Sequence, residues 1–576
     1  MIAVRPVALL LVWLAAGVAA AAPLHEGGAR RLGTKLTYDV RSGAVSHAFV
    51  ATVLKAAPDL EFEWFTTSPV ASDGVRMVAA DTLARAMSHC ECYQDAEWGT
   101  RGDASALWLS RAAFAALTTG ERTGLLFNDS PGRQMQARTL VLERRTRFPV
   151  RVDGAPMELP ALVVRSDSGS VLWIHDDPSD PLVLAIEVEW TMRLASVWQR
   201  RDDEVGRMVA VDGLGIHVVE RGNGPPLFVL HGGPGMESNY FRPYLEPLED
   251  DFRLVYIDQP GQGLSERLPP GVPYSMPGAV AALDRLRAQL GFDRIVLLGH
   301  SYGGFIAQLY ALAHPDRLTA LILVDTAPSY EYNPEANQNI QRFGTSEQRR
   351  VVPGLSNDER IRRVFALYFD PPDQAAADAF MDKVILSAEA WRQLIATREF
   401  RTFDTRPRLG EIRTPTLVVV GENDLITTAR QARIIAASIP GARLQVFPNT
   451  GHNPFVEEPA AFNAAVRAFV RQVAPLGAPI GSRGGPGAAP LGPHGRTRNG
   501  NSLRRAGLRG TVLRPRSPQV PAVGKHQEDV ARRHVMRDLG AHAEILHAQS
   551  PFPRCFGLVL HQGTPARVGA PRQSRL

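Results

Sequence analysis

The feature that most constrains this chain is the run Ile295-Val296-Leu297-Leu298, followed at once by Gly299-His300-Ser301-Tyr302-Gly303-Gly304 and then by Phe305, Ile306, Ala307, Leu309 and Tyr310. A β-branched apolar run that ends in Gly-x-Ser-x-Gly and continues with apolar residues at helical spacing predicts a strand, a sharp turn and a helix. Ser301 must then occupy a strained turn, and a Cβ at Gly299 or Gly303 would crowd the strand and helix beside it. The turn lifts a hydroxyl clear of a sheet. Gly-x-Ser-x-Gly alone is a weak signal in a chain with 50 glycines, so the remaining sequence has to supply partners for that hydroxyl.

A serine hydroxyl is a poor nucleophile near neutral pH and needs a base to take its proton and a carboxylate to orient the base. Asp424 follows the apolar run Leu417-Val418-Val419-Val420, and His452 follows Leu444-Gln445-Val446-Phe447. Ser301, Asp424 and His452 each stand just after a strand, at the carboxyl edge where open α/β sheets bind ligands. Asp325, after Leu321-Ile322-Leu323-Val324, is a second candidate for the acid and ranks below Asp424. An oxyanion needs hydrogen-bond donors. The backbone N–H of Tyr302 is one, and the loop His231-Gly232-Gly233-Pro234-Gly235 offers another, with Gly233 preferred over Gly232. No metal or organic cofactor is required by this set.

From about residue 206 strands alternate with helical stretches, which implies an α/β fold with a mostly parallel sheet covered on both faces. Between Pro328 and Thr414 the strand signal gives way to helical patterns, an insertion of the size expected for a cap over the site. Residues 33–198 read instead as a separate β-rich domain of unassigned role, with one helix-like stretch from Ser110 to Leu117. Cys90-Glu91-Cys92 suggests a local disulfide or two thiols, and less readily half of a metal site, because no second cysteine pair accompanies it.

Charge is unevenly placed. The last 101 residues, 476–576, carry 16 Lys and Arg against 4 Asp and Glu, a net of +12, so a chain whose total is +5 leaves −7 for residues 1–475. The basic tail is rich in Gly, Pro and Arg, a composition that buries too little to fold. It reads as a nonfunctional extension, with no nucleic-acid partner expected. Arg5, the apolar run Val7–Val18 and the small residues Ala19–Ala22 have the order of a secretory signal peptide cleaved near Ala22, an uncleaved anchor being the alternative. No second span follows, so the expected address is periplasmic or extracellular.

Residues 206–473 resemble the α/β-hydrolase superfamily and, within it, the prolyl iminopeptidase-like aminopeptidases. The likeness rests on His231-Gly232-Gly233-Pro234-Gly235, on Asp258-Gln259-x-Gly261-x-Gly263-x-Ser265, and on the Ser301 turn. It implies a serine hydrolase working through an acyl-enzyme, with a small peptide, amide or ester as partner. It also implies cap carboxylates that hold a free α-amine, and Glu331 and Glu335 are the acidic residues near the start of the cap. Departures are Pro260, where the family commonly has Arg, and His300-Ser301-Tyr302 in place of Gly-Ser-Trp. A carboxylesterase or lactonase on the same residues is the alternative activity, and an inactive binding module is the alternative of another class.

Overall fold

The computed structural model describes residue 24 and residues 28–100, 102–120, 122–128, 135–350 and 356–473. The expected signal peptide and the basic tail lie outside the described residues. No helix among those described is long and apolar enough to cross a membrane.

Residues 35–198 form a twelve-stranded sheet. Lys35–Ser42 pairs antiparallel with Val45–Lys55 on one side and with Trp190–Trp198 on the other. The long hairpin Gln136–Val152 and Ala155–Ser166 curls back so that Val152 meets Val197 in parallel register. Tyr38, Phe49, Phe62, Trp64 and Trp108 fill the interior. The helix-like stretch of the sequence is Arg111–Thr118, capped by Ser110, whose hydroxyl accepts from the Ala113 N–H. Cys90 and Cys92 are joined by a disulfide.

The second sheet has eight strands: β1 (Arg207–Val211), β2 (Leu214–Arg221), β3 (Pro226–Leu230), β4 (Arg253–Ile257), β5 (Ile295–His300), β6 (Leu318–Val324), β7 (Thr416–Gly421) and β8 (Arg443–Phe447). Their order is β1-β2-β4-β3-β5-β6-β7-β8, and from β4 through β8 neighbouring strands are parallel. Alternate residues of the central strands serve opposite faces: Phe228, Leu230 and Leu297 belong to one core, Leu227, Val229 and Leu298 to the other. That is why these strands read as unbroken apolar runs rather than as alternating ones.

The expected cap is a set of short helices between β6 and β7, including Tyr332–Phe343, Asn357–Phe365, Gln374–Lys383 and Ala388–Ala396. Helices of this length are marginal alone, and the first domain holds several of them by their ends. Glu359 completes a capping box with Ser356 and also accepts from the N–H and hydroxyl of Ser68, each at 2.8 Å. Ser387 caps Ala388–Ala396 and donates its own hydroxyl to Glu63 Oε1 at 2.9 Å. The other oxygen of Glu63 accepts from Arg267 Nη2 at 2.6 Å, with both side chains buried. Lys35 sends its buried ammonium to the carbonyls of Met381 and Val384, at 3.1 and 3.0 Å. Leu54, Leu264 and Ile385 close a small apolar cluster across the same junction.

Candidate active site

Ser301 stands between β5 and the helix Tyr302–Ala313 with φ 54° and ψ −119°, a conformation that side chains rarely adopt. The turn is this tight because its neighbours are glycines. A Cβ on Gly299 would lie 2.4 Å from the Gly303 carbonyl oxygen, and one on Gly303 would lie 2.4 Å from that of Leu230. Thr326 steadies the turn from β6's end by donating its hydroxyl to the Ser301 carbonyl at 2.7 Å.

Asp424 and His452 come to the same place from the ends of β7 and β8. His452 Nδ1 donates to Asp424 Oδ2 at 2.9 Å, and both side chains are buried. Asp424 Oδ1 accepts from the N–H groups of Ile426 and Thr427, and Oδ2 also accepts from the Thr427 hydroxyl. Burial alone would push this carboxyl up, but His452 and these donors outweigh it and hold Asp424 below the usual carboxylate range. His452 Nε2 has no hydrogen-bond partner among the described residues, and His452 lines the same chamber as Ser301. One side of the imidazole is committed and the other faces the serine's chamber.

Asp325 lies beside this pair without taking its place. Its Oδ1 accepts from the Gly421 N–H at 2.9 Å and its Oδ2 is unpartnered. Burial, followed by the neighbouring charge of Asp424, raises its pKa well above the usual range and so favours its uncharged form. Oxygens of Asp325 and Asp424 and a nitrogen of His452 fall within 4.8 Å of one another, the one grouping of metal-ligand type among the described residues. The Asp424–His452 hydrogen bond accounts for that closeness.

A chain of hydrogen bonds absent from the sequence reading joins the glycine loop to the histidine. The Gly232 N–H donates to the Tyr240 hydroxyl at 2.5 Å, that hydroxyl meets His300 Nδ1 at 2.7 Å, and His300 Nε2 donates to the His452 carbonyl at 3.0 Å. Burial first, then the nearby His452 charge, lower the pKa of His300, which keeps its ring neutral with one donor and one acceptor. Because Gly232 is committed to Tyr240, Gly233, at φ 43°, is the glycine of that pair whose N–H this chain leaves untouched. Tyr302 opens its helix, where a backbone N–H has no partner within the helix. His300 lay inside the quoted motif, whereas nothing at Tyr240 marked it in advance.

Glu331 and Glu335 are not at the chamber. Glu331 is exposed and accepts from Arg406 at 2.5 Å, while Glu335 accepts from the Thr428 hydroxyl at 2.8 Å and from Gln431 at 2.6 Å. Both carboxylates expected to hold a substrate amine are thus engaged with other side chains and lie off the described lining of the chamber. The chamber is lined instead by Met236, Tyr240, Ile361, Phe365, Tyr368, Phe380 and Trp391, with no Asp or Glu among its described lining residues.

Asp258 organises the second motif. It accepts from the Ser238 N–H and hydroxyl, from the Leu264 N–H and from His217 Nδ1, all between 2.7 and 2.9 Å. These bonds fix the 258–265 loop beneath the glycine loop.

The sequence pattern of the family described as alpha/beta hydrolase fold matches residues 225–459. The chain is 30% identical over 250 residues to a proline iminopeptidase, PfmaB, of Pestalotiopsis fici, covering 41% of this chain and 87% of that protein. It is 32% identical over 258 residues to a pimeloyl-[acyl-carrier protein] methyl ester esterase of Nitrosomonas europaea, covering 43% and 96% respectively. It is 28% identical over 281 residues to a proline iminopeptidase of Saccharolobus solfataricus, covering 44% and 87%. With this sequence likeness on the sheet and the Ser301 turn described above, the chain belongs to the α/β-hydrolase family, is prolyl iminopeptidase-like, and is a hydrolase.

Proposed function

We propose that this protein is a serine hydrolase that cleaves esters whose acyl groups are apolar next to the scissile carbonyl, through Ser301, His452 and Asp424. The observation that carries the reading is the divided imidazole of His452, with Nδ1 bound to Asp424 and Nε2 unpartnered beside the Ser301 chamber. Ser301 Oγ attacks the acyl carbon as His452 Nε2 takes its proton, and Asp424 stabilises the imidazolium. The N–H groups of Gly233 and Tyr302 receive the oxyanion. His452 then returns the proton to the leaving oxygen. Water, deprotonated by the same nitrogen, releases the acyl group and restores Ser301.

The lining supports an ester in preference to a free amine, because an ammonium placed among Met236, Ile361, Phe365 and Trp391 would be desolvated without a carboxylate partner. Aminopeptidase activity of the proline iminopeptidase type is the second reading. It is favoured by the His231–Gly235 and Asp258–Ser265 motifs and by the two iminopeptidase relatives. Export belongs to the same proposal, supported by the order of residues in Met1–Ala22 and by the Cys90–Cys92 disulfide, a bond that persists in oxidising compartments.

The test is an assay of the full chain and of Ser301→Ala on short p-nitrophenyl esters beside proline and alanine arylamides, with fluorophosphonate labelling in parallel. Ser301-dependent ester cleavage without arylamide cleavage is expected. Arylamide cleavage that requires a free α-amine replaces the first reading with the second. Silence on every substrate together with no labelling leaves a binding module.

A further inference from the structure

The chamber at Ser301 holds about 30 Å³, room for a water molecule or two and less than a long acyl chain needs. Beside it lies a cavity of about 510 Å³, within the range of ordinary ligand pockets. The two share Tyr240 and Phe380, whose ring centroids are 5.4 Å apart, so this ring pair is the partition between them.

The larger cavity is built by both domains. Trp198 and Arg200 come from the end of the first domain, and Asn239 and Arg242 from the second. Ala376, Ala379, Phe380 and Lys383 come from one helix at spacings of three and four, which puts them on one face. Two alanines on that face leave the room that larger side chains would fill. Arg200 is paired with Glu237, whereas Lys383 enters no ion pair among the described residues and sits 5.6 Å from the Trp198 ring. Arg242 is buried and already paired with Asp203 and Glu246, and the exposed Arg201 is paired with Glu204. Asp153 and Glu204 also line the cavity, and Lys383 remains its lining cation without an ion pair to a carboxylate among the described residues.

From this we infer that the interdomain cavity is a binding site for the distal arm of the substrate, an apolar chain ending in an anionic group, reached from Ser301 past Tyr240 and Phe380. The inference rests on the serine-hydrolase reading for its chemistry but not for its binding. The apolar arm lies along Ala376, Ala379 and the aromatic partition, and the anion meets Lys383.

Decanoate, an apolar chain with a carboxylate, is the probe. Calorimetric titration of the full chain carrying Ser301→Ala is expected to detect binding. Adding Ala376→Trp or Ala379→Trp, each verified as folded by its melting curve, weakens it at least tenfold. Lys383→Glu weakens decanoate at least fivefold more than it weakens uncharged decanol. No binding, or binding indifferent to both tryptophans, overturns the site, and equal losses for decanoate and decanol overturn the anionic end. In the kinetic arm, Ala376→Trp lowers at least tenfold the ratio of kcat/KM for the mono-p-nitrophenyl ester of decanedioic acid to that for p-nitrophenyl acetate. Ser301-dependent cleavage with an unchanged ratio sinks the inference and leaves the hydrolase reading intact. Tryptophan-sensitive decanoate binding without cleavage of any ester does the reverse.

Discussion

His300 donates from Nε2 to the backbone carbonyl of His452 while accepting from Tyr240 at Nδ1. The side chain next to Ser301 therefore holds the backbone of His452, the proposed base. His300→Phe removes both bonds at similar volume, and small displacements of reacting groups cost up to about a hundredfold. Steady-state kinetics are expected to show a fall of about 10- to 100-fold in kcat with KM little changed. His300→Gln, which keeps a donor and an acceptor, is expected to recover part of it. An equal rise in KM would mean a loss of binding instead.

The two acids can be separated by amide substitution. Asp424→Asn disturbs the imidazole that Asp424 orients, and such changes cost roughly 10³- to 10⁴-fold in kcat. Burial and the charge of Asp424 favour the uncharged form of Asp325, so Asp325→Asn replaces it with a hydrogen-bonding group of similar shape and no charge. Its kcat is expected to stay within about threefold of wild type. A loss at Asp325 matching that at Asp424 would return Asp325 to the role of the acid.

Lys35 makes the junction of the domains sensitive to pH. Burial, and next the charge of Arg362, lower its pKa from 10.5 to about 8. The folded state then binds fewer protons than the unfolded state between pH 8 and 10.5. The penalty for burying the cation is full below pH 8 and fades as pH rises through that window. The difference amounts to about 3 kcal/mol as an order of magnitude. Chemical denaturation at pH 7.5 and 10 is expected to show wild type gaining stability relative to Lys35→Met over that interval. A constant gap between the two proteins would show that Lys35 does not titrate there. The groups facing it are Arg362, Asp358, Asp382 and Glu237.

Arg267 and Glu63 form a buried pair between the domains. Arg267→Met leaves Glu63 with an uncompensated buried charge, a change that costs about 3–5 kcal/mol. It also removes the donors to the carbonyls of Ser265 and Gly263. Urea unfolding is expected to show that loss, and Arg267→Met combined with Glu63→Leu is expected to be less destabilised than Arg267→Met alone. Additive effects in the double variant would mean that the pair is not coupled.

What could be read in the sequence was whatever repeats or punctuates locally. The apolar runs before Ser301, Asp424 and His452 name three strands, and each residue follows its own run, so the order along the chain already placed all three at one sheet edge. The cap appeared as a loss of strand signal. What could not be read was pairing across distance. Nothing local at Glu63 points to Arg267, 204 positions away, or at Lys35 to Met381 and Val384. Glu331 and Glu335 were chosen because they are acidic and near the start of the cap, but charge and position do not reveal that Arg406, Thr428 and Gln431 occupy them. The 510 Å³ cavity was invisible for the same reason, since its walls are drawn from segments on both sides of the Ser301 turn.

The first domain grips the cap at Ser68, Glu63 and Lys35, and this changes what deleting that domain would do. Ser301, His452 and Asp424 all hang from the second sheet, whereas the short cap helices borrow part of their order from residues 35–198. Without residues 35–198, Ser301, His452 and Asp424 would keep the sheet that carries them, while the cap helices would lose the partners they have at Ser68, Glu63 and Lys35.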